Sequence, residues 1–188
     1  MDLDKIDLLL EEGLDIQNRI SYISDNYDAE DEDGISSRST EKLFKHLQIL
    51  QSISKDPITI ILNTSGGDTH QGMAMYDLIK NSPCFITIKV IGSAHSMGAV
   101  ILQAADERVM TKNSTLMVHS GQTVIDAESD NFKRWQKEYE RLDKAIEDVF
   151  SKRLRGKVTK KELREMLRFD TILDANKALK LGFVDKIE

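Results

Sequence analysis

The sequence has one cysteine and two prolines in 188 residues, 6% aromatics, no long apolar run and no block of basic residues. A single cysteine excludes an internal disulfide. Cys84 stands in the apolar run Cys84-Phe85-Ile86 and reads as a buried, reduced thiol in a reducing compartment, with no basic sequence neighbour to activate it as a nucleophile. No stretch approaches the ~20 apolar residues of a membrane span. The start Met1-Asp2-Leu3-Asp4-Lys5 has neither the basic opening nor the apolar run of a signal peptide. The expectation is a cytoplasmic protein with no membrane partner. A net charge of −6 without a Lys/Arg stripe argues against a nucleic-acid partner. No histidine pair or Cys/His cluster has ligand spacing, so neither a metal nor another cofactor is expected.

What is present suits one globular domain over residues 1–188, large enough to bury a core without disulfides. Leu3, Ile6, Leu8, Leu9, Leu10, Leu14 and Ile16 suggest a short amphipathic helix in an N-terminal segment (1–18), followed by a strand at Ile20–Ser24. Residues 25–34 form an acidic loop. Counted back from Gly34 as the sixth position, a calcium loop would need a carboxylate at Ala29 and a glutamate at Thr40, so the pattern fails and the stretch reads as solvated. Ser39 or Thr40 can cap a helix with Leu43, Leu47, Leu50 and Ile53 on its apolar face and His46 toward solvent, ended by Pro57. Ile58–Leu62 and Phe85–Ile91 read as buried parallel strands, each followed by a small-residue turn (Ser65-Gly66-Gly67 and Gly92-Ser93-Ala94) and a helix, the second over Met97–Ala105. Short strands are predicted near Arg108–Met110 and Leu116–Val118. This alternation predicts an α/β fold.

From Phe132 the pattern changes. Phe132, Trp135, Tyr139, Leu142, Ile146 and Val149 form a heptad-like seam on one long helix (128–155). Such a helix either packs on its own core or also projects to pair with another subunit. Thr159 with Glu162 forms a capping box, Asp174 caps a last helix and Gly182 ends it.

Three residues stand out for chemistry. Ser96 lies among small residues between a strand and a helix, with Gly98 two positions on, which resembles a nucleophile elbow; a serine there is also a plain helix N-cap. His119 ends a short strand, where it can reach across a cleft or simply serve as a hydrogen-bonded structural histidine. Asp170 stands among Leu167, Phe169, Ile172 and Leu173, and is either buried and paired or at a helix boundary. Gly67 in the Gly-Gly turn, together with the Met97 amide, can offer two N–H donors to an oxyanion; the plainer alternative is a tight turn. His95 adjoins Ser96, but neighbours at such a turn rarely face each other, and His70 lies just after the Gly-Gly turn.

Taken together these pieces resemble the Clp protease proteolytic subunit family (ClpP). Asn63-Thr64-Ser65-Gly66-Gly67 is similar to its Asn-Ser-Pro-Gly-Gly, and Gly72-Met73-Ala74-Met75-Tyr76-Asp77 to its Gly-Met-x-Ile-Tyr-Asp. Ala94-His95-Ser96-Met97-Gly98-Ala99 resembles Ala-Ala-Ser-Met-Gly-Ala, and Asn113-Ser114-Thr115-Leu116-Met117-Val118-His119 resembles Asn-Ser-Arg-x-Met-Ile-His. Asp170 opens a stretch that ends Leu181-Gly182-Phe183-Val184-Asp185, similar to Tyr-Gly-Leu-Val-Asp. The resemblance runs from about Arg19 to Asp185. It implies a crotonase/ClpP-like α/β core of repeated βαβ units with a projecting handle helix. It further implies a serine endopeptidase with Ser96 as nucleophile, His119 as base, Asp170 as orienting carboxylate and Gly67 and Met97 as oxyanion donors. The implied partners are protein and peptide substrates, copies of the chain in heptameric rings, possible as a two-ring tetradecamer, and an AAA+ unfoldase.

The chain departs from the pattern in several places. The family's proline is missing from the Gly-Gly turn, and His95 replaces a small residue beside the serine. Ser120-Gly121-Gln122 replaces Gln-Pro, Phe169 replaces an arginine, and Thr59 and Ile61 stand where aromatics dock unfoldase loops. The acidic stretch 25–34 is an insertion. The rival readings are a crotonase-type acyl-CoA enzyme, a catalytically idle assembly subunit, and a Ser–Lys peptidase using Lys89 or Lys112.

Overall fold

The computed structural model describes residues 8–25, 34–121 and 129–188. Most of the acidic loop (26–33), the first residues of the N-terminal segment (1–7) and the connection to the long helix (122–128) lie outside the described residues. Among the described residues eight strands form one sheet: β1 (Leu14–Asp15), β2 (Ile20–Ser24), β3 (Ile58–Thr64), β4 (Ile86–His95), β5 (Glu107–Met110), β6 (Thr115–Val118), β7 (Thr171–Asp174) and β8 (Lys186–Ile187). They are ordered β1-β2-β3-β4-β5-β8, with β6 and β7 branching from β4. The helices are α1 (Ser37–Ile53), α2 (Thr69–Lys80), α3 (Met97–Leu102), α4 (Ser129–Arg153), α5 (Lys160–Leu167) and α6 (Ala175–Leu181). The β3–α2–β4 and β4–α3–β5 units, with parallel strands, are the expected βαβ repeats.

Ile58, Ile60 and Leu62 of β3 and Ile86, Ile88 and Val90 of β4 are fully buried on one face, while Thr59, Ile61, Thr87 and Lys89 alternate onto the other. Each buried aliphatic side chain contributes about 1.5–3 kcal/mol by leaving water. Arg108 is buried and joins β5 to the C-terminal segment through Asp185 at 2.5 Å.

The N-terminal helix is corrected. Residues Leu8–Glu12 form one π-helical turn, and Leu14 then enters β1, antiparallel to β2. Leu14 is 1% exposed, so burial against the sheet overrides the helical spacing. The cap of α1 is Ser36, not Ser39 or Thr40; Ser39 is the reciprocal member of its capping box. The Gly92-Ser93-Ala94 turn is also corrected, since β4 runs on to His95. The register slips from Leu62↔Val90 to Thr64↔Ala94, so β4 carries two extra residues there. Gly92 has φ 77°, and a Cβ on it would lie 2.5 Å from Asn63 Oδ1, which accepts from Ser93 N–H at 3.0 Å. The small residues make a bulge plugged by an asparagine.

His46 was expected toward solvent and is buried. It lies three residues after Leu43 and four before Leu50, hence on the core face of α1, and its Nδ1 is 2.8 Å from Ser21 Oγ. Its Nε2 is buried without a partner among the described residues. Burial pushes the imidazole down to about 4 from 6.5. The folded chain therefore resists a proton that the unfolded chain takes up. Full stability is present above the unfolded value and is lost as pH falls from 6.5 to about 4, by about 3 kcal/mol in all. Urea unfolding across that window should show this loss, and His46→Leu should flatten it.

The long helix α4 settles one half of its seam. Leu142, Ile146, Val149 and Phe150 are buried, whereas Phe132 and Trp135 are 43% and 46% exposed. Its C-terminal half packs on the core and its N-terminal half keeps an aromatic face outward.

Candidate active site

The sheet brings the site together by register. At the end of β4, His95 pairs with Met117 of β6, and Ser96 N–H donates to Met117 O at 2.9 Å. That sets His119, two residues on, beside the turn after β4. β7 runs antiparallel to β6 with Val118 opposite Thr171, so the next positions outward are His119 and Asp170. Ser120 N–H donates to Leu167 O at 2.7 Å and fixes the far side of this pair.

The side chains complete the geometry. Ser96 Oγ is 2.8 Å from His119 Nε2, and His119 Nδ1 is 2.9 Å from Asp170 Oδ1. An ionised carboxylate only accepts, so Nδ1 carries the proton and Nε2 is left to accept from the serine hydroxyl. Ser96 sits at φ 52°, ψ −118° and makes no side-chain cap bond to α3. A plain N-cap serine would be extended and bonded to the helix. Here its backbone is held in a region that L-residues avoid, with its hydroxyl turned to the imidazole. Asp170 stands at the boundary between α5 and β7 and is exposed, while His119 is mostly covered.

The Gly-Gly turn after β3 lies against the serine. Gly66 has φ 111°, and a Cβ there would come 2.6 Å from Ser96 Cβ and 3.2 Å from its Oγ. Gly66 O accepts from Ile35 N–H at 2.7 Å, and Asp68 N–H donates to Ile35 O at 2.8 Å. In this parallel bridge Gly67 pairs with Ile35 while its own N–H and C=O point the other way. Among the described residues neither the Gly67 nor the Met97 amide has an acceptor. Gly66→Ala should cost at least ~10-fold in activity, since the turn must shift off Ser96 and also adopt a strained φ; kinetics beside a melting curve would check that the fold survives.

The other histidines lie elsewhere. His95 Nε2 is 2.9 Å from Thr115 Oγ1, and burial, opposed by the Asp25 charge, pushes its imidazole down. His70 Nε2 lies 3.8 Å from Glu138 of α4. Lys89 pairs with Glu188 at 2.8 Å. It precedes Ser96 by seven residues of strand, roughly 20 Å, which takes Lys89 out of reach of the serine. Lys112 is tied by its own amide to Glu188 O at the C-terminal end of β5. Cys84 is buried and free. Among the described residues no group of three potential ligands could hold a metal, and no helix is long and apolar enough to cross a membrane. A narrow cleft of mixed lining opens beside the serine between α3 and α4, with Met97, Val100, Leu142 and Ile146 on its apolar side and Thr69, Ser120 and Asp143 among its polar residues.

Sequence reasoning missed Asn63 and Thr64. Thr64 is fully buried, and its hydroxyl accepts from Gly66 N–H at 3.1 Å. The signal was the polar pair Asn63-Thr64 closing a strand that is otherwise mostly aliphatic.

The fold and the Ser96–His119–Asp170 contacts together have the form of a serine hydrolase on an α/β core with a mostly parallel sheet. The profile of the Clp protease family matches residues 16–188, and the chain belongs to that family. It is 31% identical over 160 residues to the ATP-dependent Clp protease proteolytic subunit 2 of Pseudomonas aeruginosa, covering 82% of this chain and 77% of that one. It is 28% identical over 156 residues to the ATP-dependent Clp protease proteolytic subunit of Deinococcus radiodurans, covering 81% and 76%. A mutant of ClpP1 from Listeria monocytogenes shares the fold with a TM-score of 0.80 at 24% identity, covering 96% of this chain and 95% of that one. The protein is thus an enzyme of the serine-peptidase type.

Proposed function

We propose that this chain is a single-domain serine endopeptidase that cleaves unfolded proteins and peptides inside a ring-shaped homo-oligomer. The observation that carries the proposal is the 2.8 Å contact between Ser96 Oγ, on a strained turn, and His119 Nε2. Ser96 Oγ attacks the scissile carbonyl carbon as His119 Nε2 takes its proton. The carbonyl oxygen becomes an oxyanion, for which the amides of Gly67 and Met97, without an acceptor among the described residues, are the donors we assign; one such donor is typically worth ~10²–10³ in rate. The tetrahedral intermediate collapses, the C–N bond breaks, and Nε2 returns the proton to the leaving amine. Water then attacks the acyl-enzyme by the same proton path and frees Ser96. Asp170 keeps the proton on Nδ1 throughout and stabilises the imidazolium.

The outward aromatic half of α4 supports its role as the handle that joins two stacked, heptameric rings. The names of the relatives support an ATP-driven unfoldase as partner. The free buried cysteine suits a cytoplasmic, reducing setting. An acyl-CoA enzyme would not need the Ser–His–Asp contacts, and an idle subunit would have no reason to keep them. In size-exclusion fractions, hydrolysis of a fluorogenic peptide should elute with an oligomer and stop on fluorophosphonate treatment. Activity confined to monomer fractions would refute the chamber, and an assembled but inert protein would refute the peptidase.

A further inference from the structure

The Gly-Gly turn is held from a side that the reaction itself does not use. Asp25 directly follows β2, and its N–H donates to Asn63 O at 3.3 Å, the closing bond of the Ser24↔Asn63 pair. Its carboxylate then reaches across: Oδ2 accepts from Ser65 N–H at 2.7 Å and from Ser65 Oγ–H at 2.7 Å. Two donors of one residue on one carboxylate oxygen fix both the backbone and the side chain of Ser65. Charge-assisted bonds of this kind are about twice as strong as neutral ones. Ser65 is the residue before Gly66, which packs on Ser96, and two before Gly67. The turn is also pinned by Ile35, and from within by the Thr64 hydroxyl. Removing the Asp25 bonds leaves Ser65 without a side-chain anchor, and the turn is then held only by the Ile35 and Thr64 contacts, with two glycines that offer little resistance of their own.

We infer that Asp25 is a positioning residue for catalysis, a carboxylate clasp on Ser65 that holds the Gly66-Gly67 turn where the Gly67 amide meets the oxyanion. The inference rests on the peptidase reading of Ser96 and Gly67. Its consequence is specific. The Ser96–His119–Asp170 contacts do not pass through Asp25, so loosening the clasp should weaken transition-state stabilisation while leaving substrate binding nearly intact. Displacements of about 1 Å at such a donor cost up to ~10²-fold.

The test is steady-state kinetics of the assembled full-length chain on a fluorogenic peptide, for wild type, Asp25→Ala, Asp25→Asn and the double variant Asp25→Ala/Ser65→Pro. Asp25→Ala should lower kcat about 10-fold with KM within about twofold, as expected when a donor seen only by the transition state is misplaced. Asp25→Asn keeps one acceptor oxygen and should fall between. Proline at position 65 fixes φ and has no N–H to satisfy, so the double variant should regain most of the lost kcat. A kcat unchanged in Asp25→Ala overturns the clasp, as does a loss that tracks melting temperature and is not relieved by the proline. Amide exchange at Ser65 gives a readout independent of activity: slow in wild type and fast in Asp25→Ala, with fast exchange in wild type counting against the clasp. Ser96→Ala, assayed alongside, separates the two readings. Residual wild-type hydrolysis in that variant overturns the peptidase site, whereas a silent Ser96→Ala with an undiminished Asp25→Ala overturns the clasp alone.

Discussion

Ser96→Ala is expected to lower kcat/KM for peptide hydrolysis by on the order of 10⁴-fold or more, with the melting curve close to wild type. The fold should survive because the Ser96 hydroxyl makes no cap bond to α3 and its partner is the His119 imidazole. Alanine does not relieve the positive φ of 52°, so no stabilisation from relaxed backbone is expected either. His119→Ala should cost about as much, and the double variant little more than either single one, because nucleophile and base act as a unit. Additive losses would mean that the two side chains contribute separately and that the 2.8 Å contact is not the catalytic one.

Asp170→Asn is the second large effect, and its comparison with Asp170→Ala carries the information. The carboxylate accepts the Nδ1 proton at 2.9 Å. An asparagine can turn its amide toward Nδ1 and donate, which moves the imidazole proton to Nε2. That nitrogen then faces Ser96 as a donor and cannot take its proton. Alanine leaves Nδ1 to water, and the side chain at this position is 69% exposed, so water can enter and preserve the productive tautomer. The expected losses are roughly 10²–10³-fold for Asn and about 10-fold for Ala, smaller than for a buried triad carboxylate. Equal losses in the two variants would show that Asp170 acts through charge alone.

Much of the site was legible in the sequence because short motifs and sheet register coincide. Ser96 was marked by small residues at a strand–helix junction, and His119 by its place at a strand end. Their meeting depends on the His95↔Met117 and Val118↔Thr171 pairings, which no local pattern encodes. Asp170 had the weakest signal: its apolar neighbours suggested burial, yet Phe169 and Ile172 are themselves 66% and 62% exposed. For His46 two signals conflict: its polar type points to solvent, while its spacing to Leu43 and Leu50 puts it on the core face of α1, and the helical period prevails. The extension of β4 through Gly92-Ser93-Ala94 was hidden because glycine and serine signal turns as readily as bulges. Asp25 was absorbed into an acidic run, and only the parallel pairing of β2 with β3 brings it to Ser65.

The most direct test of the account is covalent labelling of the intact, assembled protein with a fluorophosphonate probe, the adduct being located by peptide mass spectrometry. An activated serine must be both nucleophilic and served by a base, so the account predicts stoichiometric labelling at Ser96, absent in Ser96→Ala and strongly slowed in His119→Ala. Labelling of a different serine, or of Ser96 at the same rate when His119 is alanine, would contradict it.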